Sequence, residues 1–248
     1  METKILNKLS EIEKEKNIEI LFAIESGSRA WGFESLDSDY DIRFVYKHKK
    51  EWYLNLWEQK NTIEFMTEDD LDGSGWEFKK ALKLLYKSNA SFLGWLYSPI
   101  VYRANETFLN EIKVLAERNF NPVSSFYHYH SMSKGFEEIL DTDQMTLKSF
   151  FYAIRTALCA HWIYKKVTIP PVLFIDLYPI IDAKFHPLLN NLIDIKRRGI
   201  EKSNESVNPV LINLVREIVT ENNSIKNELK HKIANPEDFN EFFLKEIK

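Results

Sequence analysis

The chain has 248 residues, 44% of them hydrophobic and 28% charged, with 33 Lys and Arg against 37 Asp and Glu for a net charge of −4. That supports a full core and one or two domains, and the acidic balance argues against a protein whose main task is gripping long nucleic acid. One cysteine, Cys159, excludes an internal disulfide and a cysteine-based zinc site and fits a reducing cytoplasm; no signal-type segment opens the sequence and no apolar run reaches the roughly 18 residues of a membrane span.

Residues 2–16 are expected to form a helix, with Ile5, Leu9 and Ile12 at helical spacing and Asn17 ending it. Ile18 to Glu25 is a dense apolar run of strand length that stops at Gly27, and Arg29 to Phe33 is a turn or a first helical turn. Asp39 to Tyr46 alternates, placing Tyr40, Ile42, Phe44 and Tyr46 on one face and Asp39, Asp41, Arg43 and Val45 on the other. A charged loop, a short helix over 51–56 and a strand over 62–66 lead into the acidic stretch Glu68 to Asp72. Trp76 to Lys87 is predicted as a helix with Phe78, Leu82 and Leu85 buried and Lys79, Lys80, Lys83 and Lys87 wet. Ala90 to Tyr97 continues in helix until Ser98-Pro99 stops it.

Beyond residue 100 strand signals nearly vanish. Helices are predicted over 106–118, 123–140, 146–165, 187–198 and 210–232, with Val172 to Tyr178 open to either strand or helix. In the last helix Val210, Leu211, Leu214, Val215 and Ile218 follow the amphipathic rule. Phe239, Phe242 and Phe243 are expected to pack back. The composition shift suggests two domains, 1–100 mixed and 101–248 helical, in an α+β fold.

The segment Glu25 to Tyr46 carries the chemistry. A strand runs into Gly27-Ser28, and ten residues later Asp39-Tyr40-Asp41-Ile42 opens a second strand. Glycine lets backbone approach a ligand closely, the N–H groups of the following turn can cradle phosphate, Ser28 adds a hydroxyl and Arg29 a cation. Asp39 and Asp41, two apart on a strand, point the same way. Adjacent carboxylates repel, and the usual resolution is a hard divalent cation: Mg²⁺ binds through one or two carboxylates plus substrate phosphates. Singly, each piece is more often structural than catalytic; the combination favours catalysis. Arg43 shares the aspartate face and either reaches phosphate or pairs with a carboxylate, whereas Asp37 is a turn residue or cap.

This spacing resembles the DNA polymerase beta-like nucleotidyltransferase superfamily. The longer match, Ser26 to Phe33 with Asp37 to Asp41, resembles the RNA repair pathway DNA polymerase beta family within it. So do Gly75-Trp76, Lys80-Ala81-Leu82, Lys87-Ser88-Asn89, Ser98 to Tyr102, Phe151 to Arg155 and Trp162. The likeness runs roughly to residue 200. It implies a small nucleotidyltransferase mixed sheet with helices followed by an all-helical domain, and transfer of a nucleoside monophosphate from an NTP to a hydroxyl with release of pyrophosphate. It implies Mg²⁺ (or Mn²⁺) on Asp39, Asp41 and a third carboxylate, for which Asp72 fits the family pattern, ahead of Asp70, Glu64 and Asp69. Gly27, Ser28 and Arg29 would hold the triphosphate. Glu77 stands where relatives often have Asp.

In the second half Lys148, Tyr152 and Arg155 fall at i, i+4 and i+7 on one helix face. They are expected either to meet the nucleotide, the cations on phosphate and Tyr152 on the base, or to form an ordinary surface. Lys196-Arg197-Arg198 and the lysines at 79, 80 and 83 are candidate RNA contacts or solvated faces, and Cys159 and the Tyr127 to His130 run are read as packing. The acceptor implied by the family is an RNA 3′ end in a cytoplasmic protein without a membrane partner. Nucleotidylation of a protein or small molecule is the alternative, and an inactive nucleotide-binding module the reading from another class.

Overall fold

The computed structural model describes residues 1–67, 71–140, 142, 145–199 and 207–248. In chain order the elements begin α1 (Glu2–Lys16), β1 (Glu19–Glu25), α2 (Gly27–Trp31), β2 (Tyr40–Lys47), α3 (Lys50–Tyr53), β3 (Thr62–Met66), β4 (Leu71–Glu77), α4 (Phe78–Tyr86), α5 (Ala90–Leu96) and β5 (Val101–Ala104). There follow α6 (Glu106–Asn119), α7 (Pro122–Glu137), α8 (Leu147–Lys166), two 3₁₀ turns over 174–180 and 183–185, α9 (His186–Arg198), α10 (Pro209–Ile225) and α11 (Pro236–Glu246). The fold is α+β, with one five-stranded mixed sheet in the order β3-β4-β2-β1-β5.

The first compact unit comprises residues 1–30, 39–120 and 233–248. Its sheet is antiparallel except where β2 runs parallel to β4. The alternation read in β2 puts Ile42, Phe44 and Tyr46 into one core with Ile5 and Leu9 of α1, and Tyr40 beside it. That buries one face of the strand and leaves Asp41 and Arg43 on the other. Asn17 ends α1 in the left-handed region at φ 51°, a conformation Asn tolerates better than most residues. In α11, Phe242 and Phe243 meet the Phe78 ring at 5.9 and 5.7 Å, so the tail does pack back.

The second unit comprises residues 31–38 and 121–232. It is built on α7, α8 and α10, with Asn222 buried between helices, its carbonyl facing His161 Nδ1 at 3.0 Å and its amide donating to the Ala157 carbonyl at 3.0 Å. Residues 31–38 belong here because Phe33 stacks on Phe151 at 4.6 Å and the Leu36 N–H reaches the Gly199 carbonyl at 3.3 Å. Relative to the expected division into 1–100 and 101–248, β5, α6 and α11 fall in the first unit and 31–38 in the second.

Three expectations need correction. The helix predicted from Trp76 begins at Phe78, and 71–77 is the strand β4. Its Leu-Asp-Gly-Ser-Gly run looks like a loop because glycine is normally disfavoured in strands. Here a Cβ on Gly73 would lie 2.0 Å from the Phe65 ring, and one on Gly75 would lie 2.2 Å from the Phe44 ring. The glycines admit aromatic rings from the neighbouring strands, which is the close approach that strand glycines often mark. The half after residue 100 also contains a strand, β5, pairing with β1, and Val172 to Tyr178 is largely 3₁₀ helix. Finally, the predicted 210–232 helix ends at Ile225, and a helix not foreseen, α11, follows.

Candidate active site

Asp41 is held by the end of β1. The Ser26 N–H donates to the Asp41 carbonyl at 2.8 Å, and the Asp41 N–H donates to Glu25 Oε1 at 2.8 Å. Gly27 turns with φ +64°, and a Cβ there would sit 2.0 Å from Asp41 Oδ2. Both facts require glycine, and the second revises the reason for it: Gly27 makes room for the carboxylate of Asp41 itself.

The parallel pairing of β2 with β4 sets Asp41 in register with Asp72, so the two carboxylates stand side by side on one face. Arg43, two residues along β2, bridges them. Its Nη2 donates to Asp41 Oδ1 at 2.9 Å and to Asp72 Oδ2 at 2.8 Å, and its Nη1 to the Asp72 carbonyl at 2.9 Å. Of the two readings of Arg43, the carboxylate pairing is the one observed. Burial raises the Asp41 pKa above its ordinary value; Arg43 opposes this, and the charges of Asp72 and Asp39 add to it. Asp39 is exposed at the entry to the strand. Glu64 lies on the adjacent β3, paired with Ser74 of β4 and not with Asp72, while Asp69 and Asp70 lie outside the described residues.

Among the described residues no three His, Cys, Asp or Glu side chains converge closely enough to hold a metal by themselves. Two carboxylates do converge, and their shared need for a cation is met by a guanidinium. Such a pair fits Mg²⁺, which takes one or two protein carboxylates and draws the remaining oxygens from water and phosphates.

Sequence reasoning missed Glu25. Its carboxyl is fully buried, accepts from the Tyr102 hydroxyl as well as from the Asp41 amide, and is pushed up to about 7, chiefly by burial, with those two hydrogen bonds pulling the other way. Ser98 Oγ donates to the Glu25 carbonyl at 2.6 Å. The signal was present as a glutamate directly continuing the apolar stretch Ile20 to Ile24 at the end of β1, a placement that a buried charge tolerates only with partners. Glu77 is accounted for: it caps α4, accepting from the Lys79 and Lys80 amides at 2.7 and 3.0 Å.

Arg29 is half-buried, with Nε donating to the Asp39 carbonyl at 3.1 Å and its guanidinium over the Tyr40 ring at 3.8 Å. It therefore braces the backbone that carries the aspartates. Ser28 lies in the same turn. Lys148, Tyr152 and Arg155 belong to the second unit, and Tyr152 and Arg155 meet the same Trp31 ring. Lys148 is exposed, Tyr152 meets the Trp31 ring edge-on at 5.0 Å, and Arg155 is only 5% exposed, stacked on Trp31 at 4.3 Å. Within the 196–198 cluster Lys196 departs from the solvated face that was one of its two readings, whereas Arg197 and Arg198 are exposed. Lys196 is 2% exposed with Nζ donating to Ser35 Oγ at 2.7 Å, and Arg197 donates to the Gly32 carbonyl at 2.6 Å. They fasten residues 31–38 to α9.

On the carboxylate face an open cleft of about 650 Å³ runs past Arg43 and Asp72 along β4 to Ser74 and Trp76, with Glu64 and Trp95 on its walls. Trp76 stacks on Trp95 at 3.8 Å.

Against this geometry, the sequence model of the RNA repair pathway DNA polymerase beta family matches residues 1–245. The uncharacterized protein YcgL of Bacillus subtilis (strain 168) is 40% identical over 204 residues, spanning 81% of this chain and 78% of YcgL. A crystal structure of a nucleotidyltransferase-like protein from Exiguobacterium sibiricum 255-15 aligns over 92% of this chain and 75% of its own, at 12% identity and a TM-score of 0.33; at that score it adds nothing to the assignment.

Proposed function

The chain belongs to the RNA repair pathway DNA polymerase beta family, and from that footing we propose that it transfers a nucleoside monophosphate from an NTP to a hydroxyl acceptor, an RNA 3′ end being the acceptor the family description favours. The observation that carries the reading is the register of Asp41 with Asp72 on adjacent parallel strands, opened for Asp41 by Gly27.

In this reading the acceptor oxygen bonds to the α-phosphorus, the bond from that phosphorus to the pyrophosphate oxygen breaks, and Asp72 takes the hydroxyl proton. Asp39, Asp41 and Asp72 would hold Mg²⁺ (or Mn²⁺), which supplies charge neutralisation at the phosphates and the departing oxygen. Gly27, Ser28 and Arg29 orient the triphosphate end. Arg43 holds Asp41 and Asp72 in place before substrate arrives, so that little reorganisation is needed when it does. Lys148, Tyr152 and Arg155 stand as nucleotide contacts by family likeness; the burial of Arg155 favours Lys148 and Tyr152 over it.

The test is pyrophosphate release from each NTP with Mg²⁺ and a panel of RNAs, proteins and small alcohols. Asp39→Asn, Asp41→Asn and Asp72→Asn should each lower turnover by two orders of magnitude or more while circular dichroism stays native. Near-normal turnover in Asp41→Asn at saturating Mg²⁺ would remove the metal assignment, and label on a protein acceptor alone would replace RNA by the protein-modifying alternative.

A further inference from the structure

A second groove, of about 300 Å³, lies between the loop that follows α3 and the lysine face of α4; Trp57, Lys79, Lys80, Lys83 and Lys87 all border it. Trp57 is 77% exposed, and Leu56 beside it is exposed as well. A large aromatic left in water next to other apolar side chains is the kind of surface that marks a binding site. Lys79, Lys83 and Lys87 are exposed on α4, making a local cationic stripe on a chain whose net charge is −4.

Lys80 joins this groove to the cleft at the carboxylates. It borders the groove and places its ammonium over the Trp76 ring at 5.5 Å, and Trp76 lines the cleft that holds Asp72 and Arg43. Asp72, Ser74 and Trp76 alternate along one face of β4, so Trp76 stands about 13 Å from Asp72 at the usual strand rise. The order outward from the carboxylates is therefore Asp72, Trp76, Lys80, then the remaining lysines and Trp57.

The geometry points to this surface as the track for a single-stranded nucleic acid acceptor, with phosphates on Lys79, Lys80, Lys83 and Lys87 and a base stacked on Trp57. This rests on the nucleotidyl-transfer reading above for its direction toward Asp72. Aromatic platforms beside a cationic groove are how single strands are held without sequence preference, and stacking needs bases free of a duplex. A protein partner is the poorer fit, because lysine is depleted from protein–protein interfaces. Of the acidic side chains on the groove, Glu77 turns inward onto the α4 amides, which leaves Glu58 as the one opposing charge among the described lining residues.

The test is fluorescence anisotropy of a short labelled single-stranded RNA with the full chain, without NTP, across a salt series. Trp57→Ala should weaken binding roughly five- to 150-fold, the range for losing one base–aromatic stack. Lys83→Gln with Lys87→Gln should flatten the slope of log affinity against log salt by about 1.4, two single-strand phosphate contacts. The same RNA in a duplex should bind more weakly than the single strand. Unchanged affinity and slope in both variants, or equal binding of duplex, overturns the proposal. So does Trp57-dependent capture of a protein with no RNA bound. The same titration with Asp41→Asn separates the two readings: Trp57-dependent RNA binding with no NTP turnover in any form removes the transfer reading and leaves the track standing, whereas turnover on another acceptor without RNA binding removes the track alone.

Discussion

Arg43 is the residue on which the electrostatics of the site turn. One guanidinium neutralises two adjacent carboxylates, with side chains of Arg43 and Asp41 only 17% and 30% exposed. Replacing it with Gln leaves Asp41 and Asp72 facing each other without a cation. Arg43→Gln should lower stability in metal-free buffer by roughly 1–3 kcal/mol, the range for a charged hydrogen bond with allowance for solvent at Asp72. Mg²⁺ should then raise the melting temperature of the variant more than that of the wild type, because the ion takes over the compensation. Equal Mg²⁺ shifts in the two proteins would show that the carboxylates do not bind the ion. At this scale much was legible. Strand periodicity put Asp41 and Arg43 on one face, and they meet there; the parallel register that makes Asp72 a neighbour of Asp41 is a tertiary pairing. Glu25 was not visible as a partner, because its contacts with Tyr102 and the Asp41 amide join residues whose proximity only the folded sheet creates. Lys196 misled for the same reason: its partner, Ser35, lies far away along the chain.

The elements read best where one face is apolar and one wet, as in α1 and α4, and worst where a strand hides its own periodicity. In β4 the positions facing the rings of Phe65 and Phe44 are Gly73 and Gly75, so between Leu71 and Glu77 the buried face carries no side chains and its apolar content there comes from the neighbouring strands. That exchange makes a specific prediction. Gly73→Ala should destabilise by about 1–3 kcal/mol through overpacking, and Phe65→Ala should also destabilise on its own by opening space. Together they should cost less than the sum, with a coupling of at least about 0.5 kcal/mol, since the ring that the new methyl meets is gone. Urea denaturation of the four proteins measures it; strict additivity would mean the ring and the glycine are not in contact. Because Asp72 precedes Gly73, the single variant should also lose turnover beyond its loss of stability. The strand β5 was missed for a simpler reason: four residues after a proline carry too little pattern to be told from a loop.

At the scale of the whole molecule, the chain leaves its first unit after Ala30, spends residues 31–38 in the second, returns at Asp39, leaves again after Phe120 and comes back at Ile233. The composition shift near residue 100 suggested a mixed part and a helical part. It could not show that the loop between the Gly27-Ser28 turn and Asp39 packs with the helical unit, because that depends on Phe33 finding Phe151 and on Lys196 finding Ser35. The chain between the two halves of the nucleotidyltransferase motif thus belongs to the second unit. In the proposed mechanism the full chain binds an NTP through a divalent ion held by Asp41 and Asp72. Calorimetric titration of NTP into the full chain, with Mg²⁺ and again in EDTA, tests this most directly. The account predicts tight binding with Mg²⁺, loss of at least tenfold in affinity in EDTA, and loss of the Mg²⁺ dependence in both Asp41→Asn and Asp72→Asn. Equal affinity in EDTA, or an undiminished Mg²⁺ effect in both variants, would contradict it.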